Sequence, residues 1–400
     1  MGLLKTAYCR VAQVGLGMYI RGMDIDYPKR LEGVDSFLSI PDVLKQERAS
    51  HPMIVTGPRI GKSGFFASMV HQLDGNYTVY DKVEPDPTVA QIEDMVVTYR
   101  KEGCDSFIAI GGGSNMDAAK ACGARIARPD RTLQQMDRTF GVNRPTPLFI
   151  AVPTTAGTGS ETTVAAVVRD EKNGHKYSIN DGNLCPNYAV LDPNLTVSLP
   201  PDQTAYTGMD ALTHAVEAYL NRSYHIKTTK DLCEDAVSAI IEYLPKAYQN
   251  GENLEAREEM LIASFKAGEA FTIACVGNVH AIAHTIGGLY HLPHGKANTI
   301  VLPYVLEEYG EVVYEPLARL AEISDICKDG TTEEKAKGFI EEIRRLNHSF
   351  GIEDTIPLIR EEDIDQMAVW ADHEANPLYP CPVVFDRAGF AALIRRIAGR

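Results

Sequence analysis

The sequence predicts two domains of different class, an α/β domain with a parallel sheet over residues 1–200 and an all-helical domain over residues 201–400. Three observations carry that division. Short apolar or β-branched runs alternate with helix-like segments in the first half, at Met53-Ile54-Val55, 77–80, 107–110, 148–152 and 189–191. Runs of this kind, bounded by turn residues, suit strands buried on both faces, and their alternation with helices implies a parallel sheet. Pro186, Pro193, Pro200 and Pro201 then punctuate the chain, and amphipathic helical patterns replace the strand runs beyond them.

The elements follow in order. In TVAQIEDMVVTYRKEG, Thr88 with Gln91 makes a capping-box start, Ile92, Val96 and Tyr99 share one face, and Gly103 ends the helix. In the second half, Leu232, Ala236, Val237, Ile240, Ile241 and Leu244 form one apolar stripe, and Ala336, Phe339, Ile340, Ile343 and Phe350 form another. There is no internal repeat and no low-complexity tract.

Composition removes several function classes. A chain of 400 residues buries a large core without disulfides or a structural metal, so a metal here would be functional. A net charge of −15 with no basic run argues against nucleic acid and against an anionic membrane surface. The eight cysteines are scattered with no CxxC, which fits free thiols in a reducing cytoplasm. No apolar run approaches the length of a membrane span, and Lys5, Arg10 and Arg21 interrupt the N-terminal stretch, so it lacks a signal-peptide core. Met1-Gly2 through Thr6 fits the short myristoylation pattern, which acts only in a cell holding the acylating enzyme.

Four stretches carry candidate chemistry. IAIGGGSNMDAAK (108–120) runs a strand into three glycines and then a helix. Glycines let the backbone approach a ligand, and a helix N-terminus offers free N–H groups, so this is a pyrophosphate seat rather than a plain corner. It is not the GxGxxG fingerprint. LFIAVPTTAGTGSETT (148–163) leads a strand into a loop of hydroxyls and glycines that suits ribose or phosphate, and equally fits an ordinary polar loop. In TGMDALTHAVEAYL (207–220), Asp210 and His214 share a helix face, as two ligands of one ion or as an ion pair. GNVHAIAHTIGGLYHLPHGKAN (277–298) holds His280, His284, His291 and His294. Asp210, His214, His280 and one more imidazole would make an N₃O set suited to a divalent first-row metal with a position left for substrate.

Taken in order, GGGSxxDxAK, PTTAGTGSE, TGMDALTHAxEAY and HAxAHxxGGxYxxPHGxANxxxLP resemble the iron-containing (group III) alcohol dehydrogenases, together with DPNLTVSLP at 192–200 and EANPLYP at 374–380. The resemblance runs from about Met53 to the C-terminus. It implies a dehydroquinate synthase-like fold, a nucleotide-binding α/β domain followed by a helical metal-binding domain, with the active site in the cleft between them. It places the metal ligands, for Fe²⁺ or Zn²⁺, on Asp210, His214, His280 and His294, and leaves His291 without chemistry. It places a histidine near the nicotinamide on His284, and Phe271 on the substrate approach, where Ala165 and Val276 would complete a small apolar pocket. It places cofactor contacts on Gly111, Gly112, Gly113, Ser114, Thr154, Thr155, Thr158, Lys176 and Leu195.

The implied reaction is hydride transfer between NAD(H) or NADP(H) and a short-chain alcohol or aldehyde, in a cytoplasmic homodimer. One departure concerns the cofactor. Relatives often carry an acidic residue where MIVTGPRIGKSG has Gly57, and with Arg59 and Lys62 nearby a 2′-phosphate would be accepted. The N-terminal VAQVGLGMYI would add a strand at the dimer interface. The alternatives are a glycerol-type polyol dehydrogenase using zinc and a non-catalytic metal-binding scaffold or filament subunit. A lyase of the dehydroquinate synthase type would need several basic residues for a phosphate-bearing substrate, and no such group stands out in 207–298.

Overall fold

The computed structural model describes residues 3–21, 26–73, 75–137, 140–171, 176–225 and 228–400. The myristoylation pattern at Met1-Gly2 lies outside them. The chain divides into two units, Ile25–Leu199 and Pro200–Arg400, and the latter includes Met1–Asp24.

The N-terminal segment corrects one expectation: VAQVGLGMYI is not a strand but part of helix α1 (Leu3–Arg21). Its pattern has a helical period. Cys9 and Gln13 are buried and Gly17 lies against Tyr224, whereas Leu4, Tyr8, Val11 and Met18 are exposed. The buried side is tied to the far end of the sequence. Gln13 Nε2 donates to the carbonyls of Pro377 (3.0 Å) and Tyr379 (2.8 Å), and the Arg10 guanidinium donates to those of Cys381 and Pro382 (both 2.8 Å).

The α/β unit runs β1 (Lys29–Glu32), α2 (Ile40–Gln46), β2 (Pro52–Val55), α3 (Gly64–Val70), β3 (Thr78–Tyr80), α4 (Val89–Glu102), β4 (Ser106–Gly111), α5 (Gly113–Ala127), β5 (Leu148–Pro153), β6 (Ala165–Arg169), β7 (Lys176–Asn180) and β8 (Tyr188–Leu191). Six strands pair in the order β1-β8-β5-β4-β2-β3, all parallel. Alternate residues serve opposite faces. Met53, Val55, Phe107 and Ala109 join the core shared with α4 and α5, while Ile54, Ile108 and Ile110 join the core shared with α2 and α3. That explains the unbroken apolar runs, since a strand covered on both sides has no polar face.

Three strands escaped the sequence patterning. β1, KRLE, is a mostly exposed edge strand, and β6 with β7 forms a separate antiparallel pair. The start of α4 differs in one detail. Thr88 accepts the N–H of Gln91, but the Gln91 side chain donates to the Lys82 carbonyl (2.7 Å) instead of closing the box.

The helical unit contains α6 (Pro201–Leu220), α7 (Thr229–Gln249), α8 (Leu254–Ala274), α9 (Asn278–Tyr290), α10 (His294–Tyr309), α11 (Tyr314–Ile323), α12 (Thr332–Ser349), α13 (Glu361–Ala375) and α14 (Arg387–Ile397). Helix α6 is buried along its whole length from Gly208 to Leu220, so it forms the centre of this unit. The α7 stripe is buried at Ala236, Val237, Ile240 and Leu244, and the α12 stripe at Ala336, Phe339, Ile340 and Ile343. Between α8 and α9 the chain bends by 104°. Asn221, just past α6, holds that corner by donating to the carbonyls of Ala274, Cys275 and Val276 (2.8–3.1 Å). Among the described residues no single helix is long and apolar enough to cross a membrane.

Candidate active site

In the α/β unit the expected cofactor residues gather mainly at the C-terminal ends of the central strands. β3 lies on one side of β2 and β4 on the other, so the chain leaves β2 and β4 in opposite directions. Open parallel sheets bind ligands at such a point. Gly111 ends β4 at φ 150°, and a side chain there would run into the Asn115 amide. Gly112 then caps α5 with no side chain over its N-terminus, where the Gly113 and Ser114 N–H groups and the positive dipole end are available to an anion, the Asn115 N–H being taken by the Gly112 carbonyl (3.1 Å).

The glycine turn lies against the hydroxyl loop. A Cβ on Gly112 would meet Thr155, one on Gly113 would meet Thr158, and the Thr154 N–H donates to the Gly111 carbonyl (3.0 Å). Ser114 and Lys176 are linked through Asp86, whose N–H donates to Ser114 Oγ (3.4 Å) and whose carboxylate pairs with Lys176 Nζ (2.7 Å). Leu195 stands apart. Its side chain is buried in the core with Ile108 and Val152, so a cofactor contact there falls to its backbone. Gly57 follows β2, and Arg59 and Lys62 are exposed. Asp81, at the end of β3, packs against Gly61, so this corner does keep a carboxylate on the neighbouring strand.

Sequence reasoning missed what holds the hydroxyl loop. Lys120 is buried and its ammonium donates to the carbonyls of Ser160 (2.6 Å), Thr163 (2.8 Å) and Ala165 (3.1 Å) and to the hydroxyls of Ser160 and Thr163. Burial pushes Lys120 down to about 8, Asp117 up to about 6 and Glu161 up to about 7. The available signal was a lysine in the alanine-rich, buried stretch of α5.

In the helical unit, Asp210 and His214 from α6, His280 from α9 and His294 from the start of α10 bring one ligand atom each within 4.8 Å of one another. His294 Nε2 lies 3.6 Å and His280 Nε2 4.0 Å from Asp210 Oδ1. Donors on a common ion at tetrahedral geometry stand about 3.4 Å apart, so small movements close this set around a cation. Gly295 makes the approach possible. A side chain there would overlap the Tyr206 carbonyl on α6, so only glycine lets the start of α10 lie against Asp210.

The chemistry of the set fits a metal. The Asn298 side-chain NH₂ points at three of the four donors, at 2.6 Å from Asp210 Oδ1, 3.0 Å from His294 Nε2 and 3.1 Å from His280 Nε2. Three lone pairs thus face one positive point, which is what a cation requires. Burial and the surrounding His214, His294 and His284 push His280 well below its ordinary value, which keeps its imidazole neutral and able to ligate. Burial pushes the Asp210 carboxyl up, against the pull of His214 and Asn298.

Glu217 is the residue sequence reasoning missed here. It accepts the N–H groups of Gly277 (2.9 Å) and Val279 (2.7 Å) and, at 2.6 Å, the Nδ1 proton of His280. One carboxylate therefore caps α9 and turns His280 Nε2 toward the other donors, the carboxylate–histidine arrangement that supports metal ligands. Burial raises Glu217 to about 8, while the backbone N–H groups of Gly277, Val279 and His280 pull the other way. Its signal was its spacing, since it shares the α6 face with Asp210 and His214.

The remaining residues sort by distance. His214 stacks on Phe271 (centroids 4.3 Å) and on His280 (4.6 Å). His284, 46% exposed, stacks on His294 at 5.2 Å. His291 is the left-handed C-cap of α9, exposed and outside the donor set. Glu374 lies beside His284, and although burial opposes its ionisation, His284 and Tyr379 hold its carboxyl below the ordinary range.

A glycine cradle at the switch point of a parallel sheet, together with an N₃O donor set in a helical unit, defines a metal-dependent, nucleotide-linked oxidoreductase. Residues 28–193 match the family described as iron-containing alcohol dehydrogenase, and residues 204–398 match the C-terminal domain of the Fe-containing alcohol dehydrogenase family. The NAD-dependent methanol dehydrogenase of Bacillus methanolicus is 37% identical over 81% of this chain and 86% of its own. The NADPH-dependent butanol dehydrogenase of Clostridium saccharobutylicum is 39% identical over 68% and 70%. The structure of an alcohol dehydrogenase from Oenococcus oeni superposes with a TM-score of 0.90 at 32% identity, covering 94% of this chain and all of that one. The chain belongs to the iron-containing alcohol dehydrogenase family. It is an NAD(P)-linked alcohol dehydrogenase that uses iron and acts on small alcohols or aldehydes.

Proposed function

We propose that the chain interconverts a short-chain alcohol and its aldehyde at one divalent metal held by Asp210, His214, His280 and His294, with Fe²⁺ in use and Zn²⁺ as its competitor. The convergence of those four donors within 4.8 Å carries the reading. Bound there, the ion supplies Lewis acidity to the substrate oxygen. Glu217 orients His280 for that task. Phe271 covers one face of His214 and lines the substrate approach as an apolar wall. Gly111, Gly112, Gly113 and Ser114 seat the cofactor pyrophosphate, and Thr154, Thr155 and Thr158 bond its sugar and phosphate oxygens. His284 orients the nicotinamide or passes a proton.

The test is elemental analysis of protein purified without added metal, then turnover with a panel of alcohols, polyols and aldehydes after loading with Fe²⁺ or Zn²⁺. Full turnover in protein stripped of metal would sink the reading. For the cofactor, exposed Arg59 and Lys62 near Gly57 support use of NADP(H). Gly57→Asp then shifts kcat/KM toward NAD(H) by about tenfold, one repelled charge being worth roughly 1.4 kcal/mol. A wild type favouring NAD(H) a hundredfold would remove this part. We also infer a cytoplasmic homodimer. The exposed Leu4, Tyr8, Val11 and Met18 of α1 support it by offering an apolar surface, and a monomer by sedimentation at micromolar concentration would overturn it.

A further inference from the structure

We propose that Glu374 is the positioning residue for His284, fixing its ring plane and the tautomer that keeps Nε2 free of hydrogen. The inference deepens the reading of His284 as a cofactor-side residue and rests on it. His284 Nδ1 lies 2.6 Å from Glu374 Oε1, and Tyr379 Oη donates to the same oxygen at 3.0 Å. A carboxylate accepts only, so the shared proton belongs to His284 Nδ1, and Nε2 is left with its lone pair.

The ring has little freedom left. It stacks on His294 at an interplanar angle of 17° on its face, and the Glu374 bond holds it at its edge. A half-turn of the imidazole would put a C–H where Nδ1 now donates. Either constraint alone leaves a rotation open, and together they define one orientation.

The support continues outward. Glu374 sits in the last turn of α13, and Tyr379 follows in the segment whose carbonyls α1 grips through Gln13 and Arg10. The position of Glu374 is thereby set from two sides, by its own helix and by a tyrosine in a fastened segment.

The test uses the zinc-loaded, full-length enzyme with ¹⁵N-labelled histidine, which reports tautomers directly, alongside kcat, cofactor affinity and metal content. The His284 signal is identified by its disappearance in His284→Ala. Glu374→Ala is expected to lose the single Nδ1–H tautomer and to lower kcat about tenfold or more, the range seen when outer partners of an active-site imidazole are removed, with metal content unchanged. Glu374→Gln keeps an acceptor oxygen and is expected to restore both the tautomer and most of kcat. If His284→Ala is slow while Glu374→Ala keeps tautomer and turnover, the positioning role is overturned and the reading of His284 stands. If His284→Ala keeps full turnover and cofactor affinity, the reading of His284 falls and takes this inference with it. Loss of metal in Glu374→Ala would also overturn it, by moving Glu374 to the metal site.

Discussion

In the α/β unit the candidate ligand cradle is largely main chain: a glycine turn, a helix N-terminus and a loop of short hydroxyls lying against them. In the helical unit the donor set is all side chain, carried on α6, α9 and α10 and aimed by Glu217 and Asn298. The difference decides how each site is written in sequence. A backbone cradle is contiguous, because neighbouring residues supply neighbouring N–H groups. A side-chain site is assembled from distant stretches, and the groups that aim the ligands come from further stretches again.

The comparison breaks most visibly at a ligand. His280→Ala is expected to lose bound metal and to lower kcat on the order of a thousandfold, several kcal/mol of Lewis-acid stabilisation being removed. Cofactor binding followed by fluorescence stays as in the wild type, because the cradle shares no side chain with the donor set. Loss of cofactor binding in that variant would show the two sites are not separate in the way their construction implies.

The next effect tests the α/β unit. Burial holds Glu161 at about 7, above its ordinary 4.5 in an unfolded chain. A raised carboxyl contributes stability that is whole below pH 4.5 and is lost as pH rises through 7. Glu161→Gln, which does not titrate, should therefore match the wild type near pH 4.5 and exceed it at pH 8 by up to roughly 3 kcal/mol in chemical denaturation. A pH-independent difference would mean the Lys120 ammonium compensates the buried charge fully.

The smaller effect sharpens the helical side. Glu217→Gln keeps the shape of the side chain at the α9 cap but puts an NH₂ donor in place of one of the two oxygens that serve Gly277, Val279 and His280. Metal affinity, measured by competition with a chelator, should fall about tenfold to a hundredfold. No change would reduce Glu217 to a helix cap alone.

The legibility of the molecule follows the same divide. The five strands read from the sequence were buried on both faces, so each appeared as an unbroken apolar run. β1 was invisible because KRLE at an exposed edge has no such run, and β6 and β7 because a separate two-stranded pair carries a weaker pattern. α1 was misread because, among the described side chains of VAQVGLGMYI, the buried positions are a glutamine and a glycine, which patterning does not count as core. His280 and His294 stood out as a histidine cluster. Glu217, Asn298 and Glu374 did not, because a glutamate on a helix and an asparagine after a histidine look like ordinary polar residues until folding shows which proton each one holds. Lys120 was hidden for the opposite reason, having been read as the end of a motif rather than as the anchor of another loop.

The fastening of α1 to the segment near residue 380 also has a consequence in time. Lys5 pairs with Asp372, 367 residues further along the chain. At ribosomal speeds of about 5–20 residues per second, the helix waits roughly 20 to 70 seconds for its partner to be made. The α/β unit, Ile25–Leu199, is continuous and complete well before then. The helical unit is the last to close, and its first-made piece is among the last to be fastened.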